Sequence, residues 1–275
     1  MFFKKNKRPQ TVRTAPNERI YAIGDIHGRH DLLNALLKVI IEQLQNDNNL
    51  PNKVRLILLG DIVDRGPDSL ACLQTIFKLT HEYGAELILG NHEDLLLRTI
   101  GGDQQAQEIW LKFGGLETLK SLGITPPKFA EDSIDFGERV REAIPEEYIQ
   151  MLQQAPLFLE SGDYLFVHAG VRPGVDLDKQ DDLDLYLIRD EFLQSKEWHG
   201  AMIVHGHSIV DEVTICENRI AVDTAAYKSG HLSCIILEGQ RQDTLSTNKN
   251  MKSIKTNLKT QRPNVPLFAK GFSPA

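Results

Sequence analysis

The chain has 275 residues, 41% hydrophobic and 25% charged, enough for one large domain with a substantial core and unlike a disordered or collagenous polypeptide. No apolar run is long enough for a membrane helix, MFFKKNKR lacks the apolar stretch of a secretion signal, and Cys72, Cys216 and Cys234 form neither a CxxC pair nor an even framework, so a cytoplasmic protein without structural disulfides is expected. The net charge of −7 conceals a segregation, with +5 in residues 1–19, +6 in residues 240–275 and −18 between them, a field that repels nucleic acid and anionic membranes from the core and draws divalent cations to it.

Taken in chain order, residues 1–19 are expected to be a flexible basic extension, because they offer few apolar side chains to order them. The first strand, IYAI, leads to Asp31 as a candidate N-cap and to a helix over residues 31–44, where Leu32, Leu33, Leu36, Leu37, Ile40, Ile41 and Leu44 recur at helical spacing. A strand at 54–59, a helix at 69–82, a strand at 85–89 and a helix at 93–100 complete a βαβαβ pattern, which predicts parallel strands. Residues 101–154 contain no strand signal and are broken by Gly114, Gly115, Gly123, Pro126, Pro127 and Pro145, so they read as a helical insertion over the active edge. A hairpin over 157–160 and 164–167 follows, then strands at 201–204, 213–216, 219–222 and 232–237, which suggest a second, more antiparallel sheet. The expected architecture is α/β, with two sheets packed together and helices outside, in one domain over residues 20–239; residues 240–275 are expected to be a basic tail.

Three motifs close the first three strands: GDIHG at 24–28, GDIVDRG at 60–66 and GNHE at 90–93. Ligands of α/β proteins bind in the crevice outside the carboxyl ends of the strands. Asp25 and His27 are two residues apart and share one side of an extended chain, so both can reach one ion. Asp61 adds a carboxylate, Asn91 a neutral amide oxygen, and the strand-ending motifs VHAG and VHGHS add His168, His205 and His207. This mixed nitrogen and oxygen set suits Mn²⁺, Fe or Zn²⁺ better than Ca²⁺. A two-metal site is the reading.

GDIHG, GDIVDRG, GNHE, HAG and GHS in this order resemble the signature of the PPP-type serine/threonine phosphoprotein phosphatases of the calcineurin-like metallophosphoesterase superfamily, in particular their small bacterial and phage members. The resemblance spans residues 20–239. It implies the four-layer αββα metallophosphoesterase fold, two mixed β-sheets packed as a sandwich and flanked by helices. It also implies two divalent ions, Mn²⁺ first with Fe, Zn²⁺, Ni²⁺ or Co²⁺ as substitutes: Asp25, His27 and Asp61 on one, and Asp61, Asn91, His168 and His207 on the other. Such a pair lowers the pKa of a bridging water and aims the hydroxide at phosphorus. By the same resemblance His92 protonates the departing alkoxide and Asp64 fixes its tautomer. Arg65 and Arg189 clamp the phosphoryl oxygens, with Arg172 a competitor for the second place. Tyr227 in AVDTAAY is placed at the rim, in a loop where Ala225 stands in place of the usual glycine. His205 lines the site or hydrogen-bonds a ligand.

The implied activity is dephosphorylation of phosphoserine and phosphothreonine in proteins. Symmetrical dinucleoside tetraphosphate hydrolysis is the alternative, because such hydrolases share related motifs. Phosphoproteins or phosphopeptides are the expected partners of a chain taken as monomeric, without nucleic acid or membrane. No cysteine sits in a CxxxxxR loop, which argues against a thiol phosphatase.

Overall fold

The computed structural model describes residues 8–247. Ten strands form two five-stranded sheets. In the first, β1 (Glu18–Ile23) is central, flanked on one side by β2 (Lys53–Leu58) and β3 (Glu86–Leu87), both in the parallel sense, and on the other by antiparallel β9 (Ser233–Glu238) and β10 (Arg241–Ser246). The second sheet has the order β4 (Phe158–Ser161), β5 (Tyr164–Val167), β6 (Met202–His205), β8 (Arg219–Ala221) and β7 (Thr214–Ile215). Its three middle strands are parallel, and only the outer two run against their neighbours.

Alternation along the strands builds the layers. On β1, Ile20 and Ala22 face the second sheet and join Tyr164, Phe166, Val204 and Ile220 in a core between the sheets. Tyr21 and Ile23 face outward, where they pack with the helical side chains Leu33, Leu37, Leu73 and Ile149. On β5 the same alternation turns Leu165 and Val167 toward Leu185 and Phe192. These helical partners lie on α1 (His30–Asn46), α2 (Ser69–Tyr83), α7 (Glu146–Gln153), α8 (Asp182–Leu187) and α9 (Asp190–Gln194). The result is the αββα sandwich that the motif resemblance implies.

The βαβαβ half forms as the sequence predicts, with α3 (Asn91–Ile100) after β3. Residues 101–154 are helical as expected: α4 (Gln104–Trp110), a π-helical turn at Leu111–Gly115, α5 (Leu116–Ser121), α6 (Ser133–Glu142) and α7. Four expectations need correction. The strand at 232–237 belongs to the first sheet, where its doubly buried residues suit a place beside central β1. β10 lies in the expected tail, and its polar sequence RQDTLS conceals an edge strand. The expected flexible extension is also ordered from residue 11. Val12 is buried, the Thr14 N–H donates to the Gly239 carbonyl at 3.1 Å, and the Ala15 N–H donates to Ser161 Oγ at 3.0 Å. Lys4, Lys5 and Lys7, and the tail beyond residue 247, lie outside the described residues. Finally, Arg29 rather than Asp31 holds the N-cap position of α1, and Asp31 sits in its first turn, paired with the Arg29 guanidinium at 2.7–2.8 Å. No helix among the described residues is long and apolar enough to cross a membrane.

Candidate metal centre

The carboxyl ends of β1, β2, β5, β6 and β8 meet at one edge of the sandwich, and the expected site residues lie just beyond them. His27, Asp61, Asp64, Arg65 and His207 all have φ between 46° and 73°, a left-handed conformation that costs an L-residue roughly 1–2 kcal/mol. Five such residues in three loops mark a place where the backbone is bent to aim side chains. Close packing makes this possible: a Cβ at Gly206 would collide with Asp25 Oδ1, and one at Gly90 with the Asp61 amide nitrogen.

Two groups of donor atoms converge there, His27, Asp61 and His92 in one, and Asp61, His168 and His207 in the other, each with its atoms within 4.8 Å of one another. Asp61 is common to both. His27 Nδ1 donates to the Val63 carbonyl at 2.9 Å and His168 Nδ1 to the Leu59 carbonyl at 2.7 Å. A carbonyl only accepts, so each ring donates from Nδ1 and points its Nε2 into the crevice. His168 Nε2 lies 3.3 Å from Asp61 Oδ1 and 3.0 Å from Asn91 Oδ1, which brings Asn91 to the second group. His207 Nε2 is buried and has no hydrogen-bond partner. An orphaned lone pair beside a buried carboxylate is what a cation would satisfy, so the residues present fit a metal pair.

Asp25 is 2% exposed, accepts the His207 backbone N–H at 3.0 Å and faces the buried carboxylate of Asp223. Burial, followed by Asp223 and Asp61, pushes the Asp25 pKa up. Burial also pushes His27 down to about 3 and lowers His207, which keeps both imidazoles neutral and able to coordinate. At His168 burial opposes charge, but the Asp61 carboxylate overrides it and raises the pKa to about 10.

His92 stands at the start of α3, with Nδ1 at 2.6 Å from Asp64 Oδ2. Burial opposes its charge, and Asp61 and Asp64 together still raise its pKa. Although His92 falls in a donor group, its Nε2 is 3.9 Å from Asp61 Oδ2 and its other nitrogen is committed to Asp64. Arg65 Nη1 lies 3.0 Å from His27 Nε2 and its Nη2 2.8 Å from His92 Nε2, so the guanidinium lies over the middle of the group. Its guanidinium is 5.0 Å from the Tyr227 ring centroid, and that ring meets His27 edge-on, placing Tyr227 at the rim.

Arg189 is exposed at the start of α9 and acts on His207 through its charge. Glu191, two residues beyond Arg189, is paired with Arg172, which also holds Asp184 at 2.6 Å. Arg172 is thereby committed to α8 and α9. His205 does not join either donor group: its Nδ1 turns back to the Gly206 carbonyl and its ring meets Phe192 edge-on.

Four residues without an expected role hold the site together. Glu93 accepts backbone N–H groups of the 60–63 loop, and Asp223 faces Asp25. Asp223 was signalled by its position, an acid directly after an apolar strand, as Asp61 is after β2. Trp110 and Thr118, both from the insertion, donate to Asp64 Oδ1 at 2.9 and 2.6 Å, leaving Oδ2 for His92. No spacing rule links residues 46 and 54 positions away. Ala225 has φ 54° and ψ 52°, so the loop keeps the glycine-like conformation at a cost. Ala225→Gly should stabilise the protein by roughly 0.5–1 kcal/mol after the added unfolded-state entropy. Thermal unfolding checks this, with turnover expected to change less than about twofold.

A two-sheet sandwich with carboxylates, imidazoles and an amide gathered at its strand ends is the frame of a phosphoesterase with a divalent metal centre. The chain belongs to the calcineurin-like phosphoesterase family, whose model matches residues 18–235. It is 27% identical over 231 residues to the asymmetrical bis(5′-nucleosyl)-tetraphosphatase PrpE of Anoxybacillus flavithermus, covering 78% of this chain and 88% of that protein. It is 30% identical over 226 residues to serine/threonine-protein phosphatase 2 of Salmonella typhimurium, covering 78% and 90%. Among solved structures it resembles the cold-active protein-tyrosine phosphatase of a psychrophilic Shewanella, with a TM-score of 0.53 and 20% identity over 84% of this chain and 80% of that one. That likeness is one of fold.

Proposed function

We propose that the chain is a PPP-type phosphomonoesterase that removes phosphate from phosphoserine and phosphothreonine in proteins, using two divalent ions, Mn²⁺ first among them. Asp25, His27 and Asp61 hold one ion; Asp61, Asn91, His168 and His207 hold the other. When bound, the ions would polarise the phosphoryl oxygens and acidify the attacking water. Arg65 and Arg189 grip the phosphoryl oxygens as planar forks. Tyr227 packs against the face of Arg65 and limits its rotation.

The observation that carries this reading is the buried Asp64–His92 pair. A serine or threonine alkoxide is a poor leaving group and needs a proton as the P–O bond breaks. His92, with its pKa raised, keeps a proton for that purpose, and Asp64 stabilises the resulting charge distribution. A nucleotide leaving from a polyphosphate needs no such donor. The Salmonella relative supports the reading by its name and by coverage of 90% of its length.

A second reading, dinucleoside tetraphosphate hydrolysis, is favoured by the Anoxybacillus relative, covered over 88% of its length. Competition in one vessel separates them. With Mn²⁺, the protein should hydrolyse a phosphoserine or phosphothreonine peptide with a kcat/KM at least about tenfold above that for diadenosine tetraphosphate, a difference of about 1.4 kcal/mol. The reverse preference would reject protein dephosphorylation, and retention of activity after exhaustive chelation would reject the metal mechanism.

A further inference from the structure

Glu93 is a fully buried carboxylate, the last residue of GNHE, and it carries no role in the proposed chemistry. Four backbone N–H groups point at it. Oε2 accepts from Asp61 at 2.8 Å and from Gly90 at 3.2 Å; Oε1 accepts from Ile62 at 2.7 Å and from Val63 at 3.1 Å. Three of these donors are consecutive in the loop where Asp61 adopts φ 49°. A chain in that conformation turns successive N–H groups to one side, a nest that an anion fills. Here the anion is supplied by the protein itself.

The arrangement is expensive in isolation. The Asp61 and Glu93 carboxylates both approach Gly90 closely enough to collide with an added Cβ. Two buried acids so close repel one another. A neutral residue would avoid that repulsion, but an amide brings its own N–H₂ group against N–H donors and cannot satisfy four of them. The carboxylate at position 93 therefore does something that an amide cannot.

We infer that Glu93 is a positioning residue for the metal pair: its carboxylate holds the 60–63 loop in its left-handed turn and so fixes Asp61 at the point where both donor groups meet. Glu93 touches neither donor group's lone pairs and acts through the backbone of Asp61. The same carboxylate also ties Gly90, and with it the start of α3 that carries Asn91 and His92, to the loop. One side chain thereby sets the spacing between two motifs that lie some thirty residues apart. Outer partners of this kind typically govern metal affinity by 10–100-fold.

The inference rests on Asp61 being a metal ligand, and the test separates the two claims. Mn²⁺ binding is measured by calorimetry on full-length wild type, Glu93→Gln and Asp61→Asn, each also followed by thermal unfolding in chelator. Glu93→Gln should weaken Mn²⁺ affinity by roughly 10–100-fold, while kcat at saturating Mn²⁺ recovers to within about threefold of wild type. Wild-type Mn²⁺ affinity in Glu93→Gln, with only a lower melting temperature, would overturn the positioning role and leave a purely structural one. Unchanged affinity in Asp61→Asn would instead reject the ligand assignment beneath it. Should Glu93→Gln not fold, Glu93→Asp, which keeps the charge but is one methylene too short to reach the 60–63 loop, supplies the same comparison: weakened Mn²⁺ affinity supports the positioning role, and wild-type affinity in a folded Glu93→Asp overturns it.

Discussion

Asp61→Asn is expected to lower turnover on a phosphopeptide by on the order of 10³ or more and to reduce bound metal from two ions per chain toward none. Asp61 is the one side chain shared by both donor groups, so its replacement removes an anionic ligand from each ion at once. Lewis-acid stabilisation of the transition state is worth several kcal/mol, and each 1.36 kcal/mol is a factor of ten in rate. The fold should survive. Asn keeps an oxygen to accept the His92 backbone N–H, which lies 3.1 Å from Asp61 Oδ1, and it removes a charge that repels Asp25 and Glu93. Metal counting and kcat on the same preparation check the prediction; two ions retained at full turnover would contradict it.

The second large effect belongs to His92. His92→Asn should lower kcat on phosphoserine peptides by about 10²–10⁴, the usual contribution of a general acid. The loss on an aryl phosphate, whose phenolate departs more readily, should be at least about tenfold smaller, because less of that barrier depends on protonation. Metal content should stay at the wild-type value. An equal loss on both substrates, or loss of an ion, would show that His92 serves the metals instead of the leaving group. This leaving-group comparison also resolves why His92 falls within a donor group with His27 and Asp61.

Much of this was legible in the chain because the ligands sit at strand ends, where motif and strand signals coincide. GDIHG, GDIVDRG and GNHE follow apolar runs whose burial leaves few alternatives, and the structure brings their donors into one crevice. Position-by-position reading failed where tertiary packing decides. β9 reads like its neighbours in the second half but pairs with β1, since pairing partners are set by the whole sandwich and not by local pattern. β10 has polar side chains suited to a sheet edge and so gave no apolar alternation. Residues 11–17 lack a repeating pattern because they are ordered by hydrogen bonds to scattered partners, Asp163, Ser161 and Gly239. Glu93 and Asp223 were visible as letters, but their partners are backbone amides and a distant carboxylate, which no one-dimensional spacing encodes.

The reach of Trp110 and Thr118 into the Asp64 carboxylate constrains how the helical insertion can be exchanged. Residues 101–154 are the natural place to exchange when altering what the crevice accepts, yet two of their side chains are wired to the acid that serves His92. A chimaera that transplants the whole segment would change recognition and turnover together. Only grafts that retain an indole and a hydroxyl at these two positions keep the inherited chemistry separable from newly acquired selectivity.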